Sequence, residues 1–378
     1  MPPKTNTTAG QDRYRVGTLE KGLSVLEALE MSREPLRISE VAERTSIERA
    51  AVFRLLSTLE QRGYIERMAD KRYRAARRKK ISLGYLAPLS GNPFRQDVTA
   101  GMRAAAEDAG IELIMLHTSG IKLEDDLANA QVLLDARVSL AILFQPLDSF
   151  AHVLVDRFAG AGLPVISLET PIPGALFLGG NSYKAGTMAG RALGQFARTH
   201  WKSSYDKLVL LESSRTAPAN RARLSGAVEG LKELLGDVPE SRILHVDGQA
   251  RQDIARESIR DVLLTLPPKS RLLISAFNDL SAIGALEAIR ETGREQFTAI
   301  VGQNGTSESR AELSRAGSAL IASVAYFPEK YGDKLIKLAA RVLNRDHTPL
   351  AVYTEHILLD STNVKRYYPE PKPSQSLE

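Results

Sequence analysis

From Ile81 onward the chain alternates short aliphatic runs with longer segments of helical spacing, and this alternation limits the fold more than any other feature. Ile81–Ala87, Glu112–His117, Leu140–Gln145 and Pro164–Leu168 read as strands. Phe94–Gly110, Leu123–Ala136 and Phe150–Ala161 read as the helices between them. The pattern resumes after Asn181 and runs to about Leu359. Such alternation predicts parallel sheets with helices on both faces, here in two consecutive α/β lobes. Two lobes imply a cleft, and ligands bind outside the carboxyl ends of such strands.

The first 80 residues follow another grammar. In Ser46–Gly63, Val52, Leu55, Leu56 and Leu59 fall at i, i+3, i+4 and i+7, which puts four aliphatic side chains on one helix face. The opposite face carries Ala50, Arg54 and Ser57, with Phe53 at its margin and Arg49 in the first turn. Ile38–Arg44 reads as a short helix before a polar turn, Thr45-Ser46, and Gly63–Arg67 and Lys71–Arg74 read as two strands around a basic tip. An earlier helix, Leu19–Glu30, is expected to bury Leu19, Leu23, Leu26 and Leu29, and Pro35 marks the turn after it. Periodicity alone also fits an ordinary amphipathic helix with a solvated face. The order helix, turn, helix, strand pair points instead to a winged helix-turn-helix whose second helix enters the DNA major groove. Arg37, Ser39, Arg49, Ala50, Phe53, Arg54, Ser57, Lys71 and Arg72 are then the candidate DNA contacts.

Charge follows the same division. Residues 1–80 hold 18 basic and 11 acidic residues, a net +7, whereas the remainder is −2. Arg74–Lys80 alone carries five positive charges, which suits a tether that adds phosphate contacts. The absence of cysteine excludes disulfides, thiol catalysis and cysteine–zinc sites. No apolar run approaches the ~18 residues that a membrane span needs, and nothing at the N-terminus resembles a signal peptide, so a cytoplasmic protein is expected.

Residues 14–74 resemble the N-terminal domain of the IclR family of bacterial transcription regulators. The resemblance is carried by Thr18–Glu27, by Ile38–Ala42, and by Arg54–Glu60 with Gly63-Tyr64. That family usually has Ser-Thr before the valine of its recognition helix; here the pair is Ala50-Ala51, so a hydroxyl contact to DNA is missing.

Residues 81–368 resemble the sugar-binding domain of LacI-family repressors and of periplasmic sugar-binding proteins. The carrying motifs are Leu83–Pro88 with Gly91–Phe94, Gly162–Ile166, Arg223–Gly226, Phe277–Asp279 with Ala282–Leu286, and Val301–Gly305. The resemblance implies a two-lobed, type I periplasmic-binding-protein-like fold with parallel sheets. Lobe 1 would take about 81–181 and 327–355, lobe 2 about 182–326 and 356–368. Residues 1–13 and 369–378 are expected as tails, and 75–80 as the linker. A sugar needs planar amides, carboxylates and guanidinium groups for its hydroxyls and an aromatic for its ring. The resemblance assigns these roles to Asn92, Phe94, Glu169, Asn181, Arg223, Asn278, Asn304 and Tyr326.

Ribose-type binding proteins carry an Asp-Arg pair where this chain has Glu169-Thr170. They have Asp where it has Asn304, Gln where it has Tyr326, and usually Asp where it has Asn181. The loss of carboxylates, with Arg223 retained, admits a sugar acid or sugar phosphate as readily as a plain sugar. Taken singly, Asn and Gly after strands are also ordinary turn residues, and Phe94 fits a core as well as a platform.

Six histidines stand isolated, and no metal-ligand spacing, phosphate loop or nucleophile elbow occurs. The sequence therefore implies a ligand-responsive DNA-binding regulator and not an enzyme, with no cofactor. Its expected partners are a double-stranded operator, a carbohydrate-like effector and further copies of itself. Neighbouring carbohydrate uptake or catabolism genes are the implied targets. A transporter's solute-binding protein and a sugar-modifying enzyme are the alternatives.

Overall fold

The computed structural model describes residues 16–76, 81–88, 91–118 and 122–369. The expected tail 1–13, residues 77–80 of the linker and residues 370–378 lie outside the described residues. The chain divides into two compact units at Ile81/Ser82.

The first unit holds α1 (Gly17–Glu30), α2 (Ile38–Thr45), α3 (Arg49–Gln61), and the antiparallel pair β1 (Ile65–Arg67) and β2 (Tyr73–Ala75). Val25, Leu29, Leu36, Val41, Val52, Leu56, Ile65 and Tyr73 form its core. Ser46, at φ 55°, ends α2 in the left-handed region and turns the chain into α3. The stripe expected on α1 is corrected. Leu19 and Leu23 are 61% and 50% exposed, whereas Val25 and Leu29 are buried. The helix turns Gly22, Val25, Leu26 and Leu29 inward, a set with the same i, i+3, i+4, i+7 spacing. Gly22 faces Leu55 of α3 with room for a methyl, since a Cβ there would stand 3.8 Å from the Leu55 side chain.

In the second unit, one six-stranded sheet has the order β13-β7-β6-β5-β3-β4. Its strands are β3 (Ser82–Pro88), β4 (Glu112–Thr118), β5 (Leu140–Leu143), β6 (Val165–Leu168), β7 (Leu176–Gly179) and β13 (Ala351–Tyr353). The helices α4 (Pro93–Asp108), α5 (Leu123–Asp135) and α6 (Asp148–Gly160) connect them, and α12 (Tyr331–Leu343) packs on α4. β3 reads SLGYLAP and is buried throughout, as a central parallel strand covered on both faces requires. The strand β7 was not legible: it is four residues long and follows the turn at Pro171–Gly174 without a helix between.

The other sheet, of lobe 2, has the order β14-β12-β11-β10-β8-β9. It comprises β8 (Lys207–Glu212), β9 (Ile243–Asp247), β10 (Leu272–Ala276), β11 (Thr298–Asn304), β12 (Leu320–Ala325) and β14 (Ile357–Asp360). Its helices are α7 (Ser182–Trp201), α8 (Ala222–Leu235), α9 (Gln252–Thr265), α10 (Asp279–Glu291), α11 (Ser307–Leu313) and α13 (Val364–Tyr367). All pairings in this sheet are parallel except β12 with β14. The chain enters β14 directly from a crossover at the carboxyl ends of the other strands, so it can only run back against them.

Three crossovers join the lobes, near 180–182, 325–328 and 354–356. They are in contact. The main-chain N–H of Asn181 donates to Nε2 of His356 at 2.8 Å, and the His356 and Tyr326 rings lie 4.4 Å apart. Only glycine fits at 180, where a Cβ would stand 2.3 Å from the Tyr326 ring. No helix among the described residues is long and apolar enough to cross a membrane.

Candidate functional site

On the first unit, α3 turns Val52 and Leu56 into the core, with Leu55 and Leu59 partly buried beside them. Arg49, Ala50, Phe53 and Arg54 are exposed, and Ser57 is half-buried. Phe53, 54% exposed, is a large apolar side chain left in solvent beside Arg54. Arg37 and Ser39 are exposed at the start of α2, where the Arg37 N–H donates to the Glu40 carboxylate at 2.5 Å. That contact satisfies one of the helix's unpaired donors. The wing divides its cations. Arg72 pairs with Asp70 at 3.2 Å and Arg74 with Glu66 at 2.6 Å. Lys71, exposed at φ 61°, holds the turn tip and carries no such pair among the described residues.

In the second unit, the residues expected at the cleft converge on Tyr326. Its ring meets Phe94 of lobe 1 edge-on at 6.2 Å, and the Arg223 guanidinium lies 5.6 Å from its centroid. Arg223, 4% exposed, also covers the Phe277 ring at 4.4 Å. Its Nη1 donates to the Phe277 carbonyl at 2.7 Å, and its Nε has no hydrogen-bond partner. The Tyr326 hydroxyl donates to Oε1 of Gln303 at 3.1 Å. Burial pushes that hydroxyl up to about 12, although Arg223 draws it down.

Glu169 follows β6 at φ 61°. Its Oε1 accepts from the Tyr331 hydroxyl at 2.6 Å and from the Gly180 N–H at 3.0 Å. Burial raises its carboxyl above the usual range, while Tyr331, the Arg223 guanidinium and Gly180 oppose the rise. Glu169 of lobe 1 and Arg223 of lobe 2 are linked through the ring cluster of Tyr331, Phe94 and Tyr326.

The asparagines serve first as helix caps. Oδ1 of Asn92 accepts from the Arg95 N–H at 3.3 Å, that of Asn181 from Lys184 at 2.9 Å, and that of Asn278 from Ser281 at 2.9 Å. Asn278 is committed further, since its Nδ2 donates to the Ala250 carbonyl at 3.2 Å. Asn304, at φ 112°, ends β11 and accepts the Tyr326 N–H on its carbonyl at 3.3 Å. Phe94 is 5% exposed, with its ring edge-on to Phe144, Tyr326 and Tyr331, so it forms the wall beneath the cleft rather than an open platform.

Sequence reading missed several members. Tyr331, Thr354 and His356 sit at crossovers with no motif to mark them. Arg95 adjoins a matched motif, which was the available signal. Burial holds the His356 imidazole down at about 4, and Arg223, Lys184 and Lys334 push the same way. A cavity of about 600 Å³ opens beside the first crossover, bounded by Pro171, Asn181, Tyr183, Asn220 and Tyr353. A groove of about 930 Å³ between α7 and the β12–β14 edge holds none of the expected ligand residues.

Comparison with known proteins separates the same two units. An IclR helix-turn-helix domain matches residues 18–69, and a periplasmic binding protein domain matches residues 83–347, most of the chain. The chain belongs to the periplasmic binding protein domain family. Within it, this member carries an IclR-type helix-turn-helix at its N-terminal end. The ribose import binding protein RbsB of Bacillus subtilis is 24% identical over 274 residues, 71% of this chain and 83% of that protein. The p-hydroxybenzoate hydroxylase transcriptional activator of Acinetobacter baylyi is 39% identical over 71 residues, 19% of this chain, and the match spans only 25% of that activator. Among solved structures, a solute-binding protein from Actinobacillus succinogenes with bound D-allose aligns at TM-score 0.66 and 18% identity, covering 76% of this chain and 100% of that one. One from Bacillus halodurans with bound myo-inositol aligns at TM-score 0.66 and 17% identity, covering 76% and 97%. These likenesses extend the periplasmic-binding-protein fold across the whole second unit.

Proposed function

We propose that this protein is a ligand-responsive transcription regulator whose effector is a sugar or sugar derivative. The observation that carries the reading is the pairing, in one chain, of a helix with an outward Arg49–Arg54 face and a two-lobed domain in which Glu169 of one lobe and Arg223 of the other meet the same aromatic cluster. Arg54, Arg49 and Phe53 would meet base edges and backbone in the major groove, and Lys71 would hold a phosphate from the wing. Asn92, Asn181, Asn304, Glu169 and Arg223 would engage the ligand over a wall of Phe94 and Tyr326. Ligand closes the lobes about the three crossovers, and that motion changes DNA affinity.

One such helix reads only a few base pairs, so a homodimer on a symmetric operator belongs to the proposal. The exposed Leu19 and Leu23, one turn apart on α1, supply an apolar stripe for it. We place the protein in the cytoplasm, acting on genes of carbohydrate uptake or breakdown. The testing experiment is fluorescence anisotropy with DNA from the protein's own upstream region, titrated with and without sugars, sugar acids and sugar phosphates. Specific binding that one of these compounds alters supports the reading. Binding no tighter than to random DNA, or unaltered by every compound, overturns it.

A further inference from the structure

The cleft's hydrogen-bonding capacity is lopsided. A sugar hydroxyl brings one donor and two acceptor sites, so a neutral sugar needs a site with both kinds of group. Here the amide acceptors of Asn92, Asn181 and Asn278 are all directed onto the first turns of α4, α7 and α10. The Gln303 acceptor is taken by Tyr326. Glu169 is a carboxylate at the site, and one of its oxygens already receives two hydrogen bonds; the carboxylate of Asp279, beside Asn278, is buried and bonded to Ser309, Ser323 and the Thr306 N–H.

Cations meanwhile arrive from both lobes. Arg223 is 4% exposed, with its Nε unpartnered, and its two other nitrogens reach only the Phe277 carbonyl and, at 3.5 Å, the Ser182 hydroxyl. Arg95 lies in the first turn of α4, at the carboxyl end of β3. Its guanidinium is 5.2 Å from the Phe144 ring, and no carboxylate pairs with it among the described residues. Arg95 is half-buried, and burial lowers its pKa. Lys184, two residues into α7, adds to the field of Arg223 at His356. The Arg223 guanidinium, buried with its Nε unpartnered, therefore offers donors that an acceptor-only anionic group would satisfy more fully than a neutral hydroxyl.

We infer that the effector is a sugar bearing a carboxylate, an aldonic or uronic acid, whose anionic group meets the guanidinium of Arg223 or Arg95 while its hydroxyls meet the amide donors. A carboxylate matches the guanidinium fork. A phosphate dianion suits the site less well, because Glu169 opposes a second negative charge. This rests on the carbohydrate reading above and narrows it.

The test is calorimetric titration and thermal melting of the full-length protein with matched series: D-galactose, D-galactonate, D-galacturonate and D-galactose 6-phosphate, and the corresponding gluco and ribo compounds. In one series a carboxylate member is expected to bind at least ~10-fold more tightly than its neutral parent, and to weaken as salt rises. Arg223→Gln and Arg95→Met are the variants. At least one should lose ~10-fold or more in affinity for the acid and narrow the gap to the neutral sugar. Should Arg223→Gln fail to fold, Arg95→Met, at a partly exposed position, carries the test. A neutral sugar binding as tightly as its acid, binding by the phosphate alone, or undiminished acid affinity in both variants overturns the inference while leaving a carbohydrate effector in place. No response to any compound of the panel removes the carbohydrate reading itself.

Discussion

Gly186 of α7 lies so close to Arg223 of α8 that a Cβ at 186 would stand 1.9 Å from the Arg223 main-chain oxygen. The contact repeats along the helix pair. A Cβ at Gly190 would meet the Ala227 oxygen at 2.0 Å, and one at Gly226 or Gly230 would meet the oxygens of Tyr183 or Thr187 at 2.2 Å. Two stretches of small residues thus fix how near the guanidinium-bearing helix sits to the first crossover.

Gly190→Ala is therefore expected to cost stability, on the order of 1–3 kcal/mol, because backbone rather than a pliable side chain opposes the new methyl. Urea unfolding measures it. Gly186→Ala should in addition weaken effector binding, since it displaces α8 at Arg223. Equal effector affinity in the two variants would separate this helix contact from the site.

Arg54→Ala is expected to lower operator affinity by about 1–3 kcal/mol and leave effector affinity unchanged. Arg72→Ala should cost less than Lys71→Ala, because Arg72 is engaged by Asp70. Anisotropy titrations at two salt concentrations check both, the Lys71 variant showing the shallower salt dependence.

Leu19→Glu together with Leu23→Glu should shift the protein toward monomer in sedimentation velocity. Both side chains are already exposed, so the melting temperature of the first unit's core should hardly move. Unchanged sedimentation would exclude this face of α1 from self-association.

The pH dependence of stability contains two opposed contributions. Asp279, buried among Ser309, Ser323 and the Thr306 N–H, has its carboxyl raised by burial to about 6. Its folded pKa exceeds the ordinary carboxylate value, so its contribution is full below about 4 and is lost as pH rises toward 6. His356 is depressed to about 4, so its contribution is present above ~6.5 and is lost progressively as pH falls from there through the folded value of about 4. Asp279→Asn should remove the falling limb and His356→Gln the rising one. The stability difference between wild type and each variant, measured from pH 4 to 6.5, should slope in opposite directions, with a span on the order of 2 kcal/mol.

The parts legible in the sequence were those set by local spacing. Val52 and Leu56 announced the inner face of α3, and the run from Ile81 to Ala87 announced the strand found at Ser82–Pro88. On α1 four leucines drew the eye, yet the packed face is Gly22, Val25, Leu26 and Leu29, because two stripes of the same helical spacing were available and only packing against α3 chooses between them. In the second unit, matched motifs pointed to Arg223, Asn278 and Asn92, but nothing local distinguishes an asparagine that reads a ligand from one that caps a helix. His356 and Tyr331 were invisible for another reason. Their partners, Asn181 and Glu169, lie more than 150 residues away in the chain.

The order of strands in the first sheet has a mechanical consequence. The strand β3, the segment with which the second unit begins, pairs with β4 on one side and β5 on the other. A pull along that segment is therefore carried as shear by two hydrogen-bonded ladders at once, where an edge strand would peel from one.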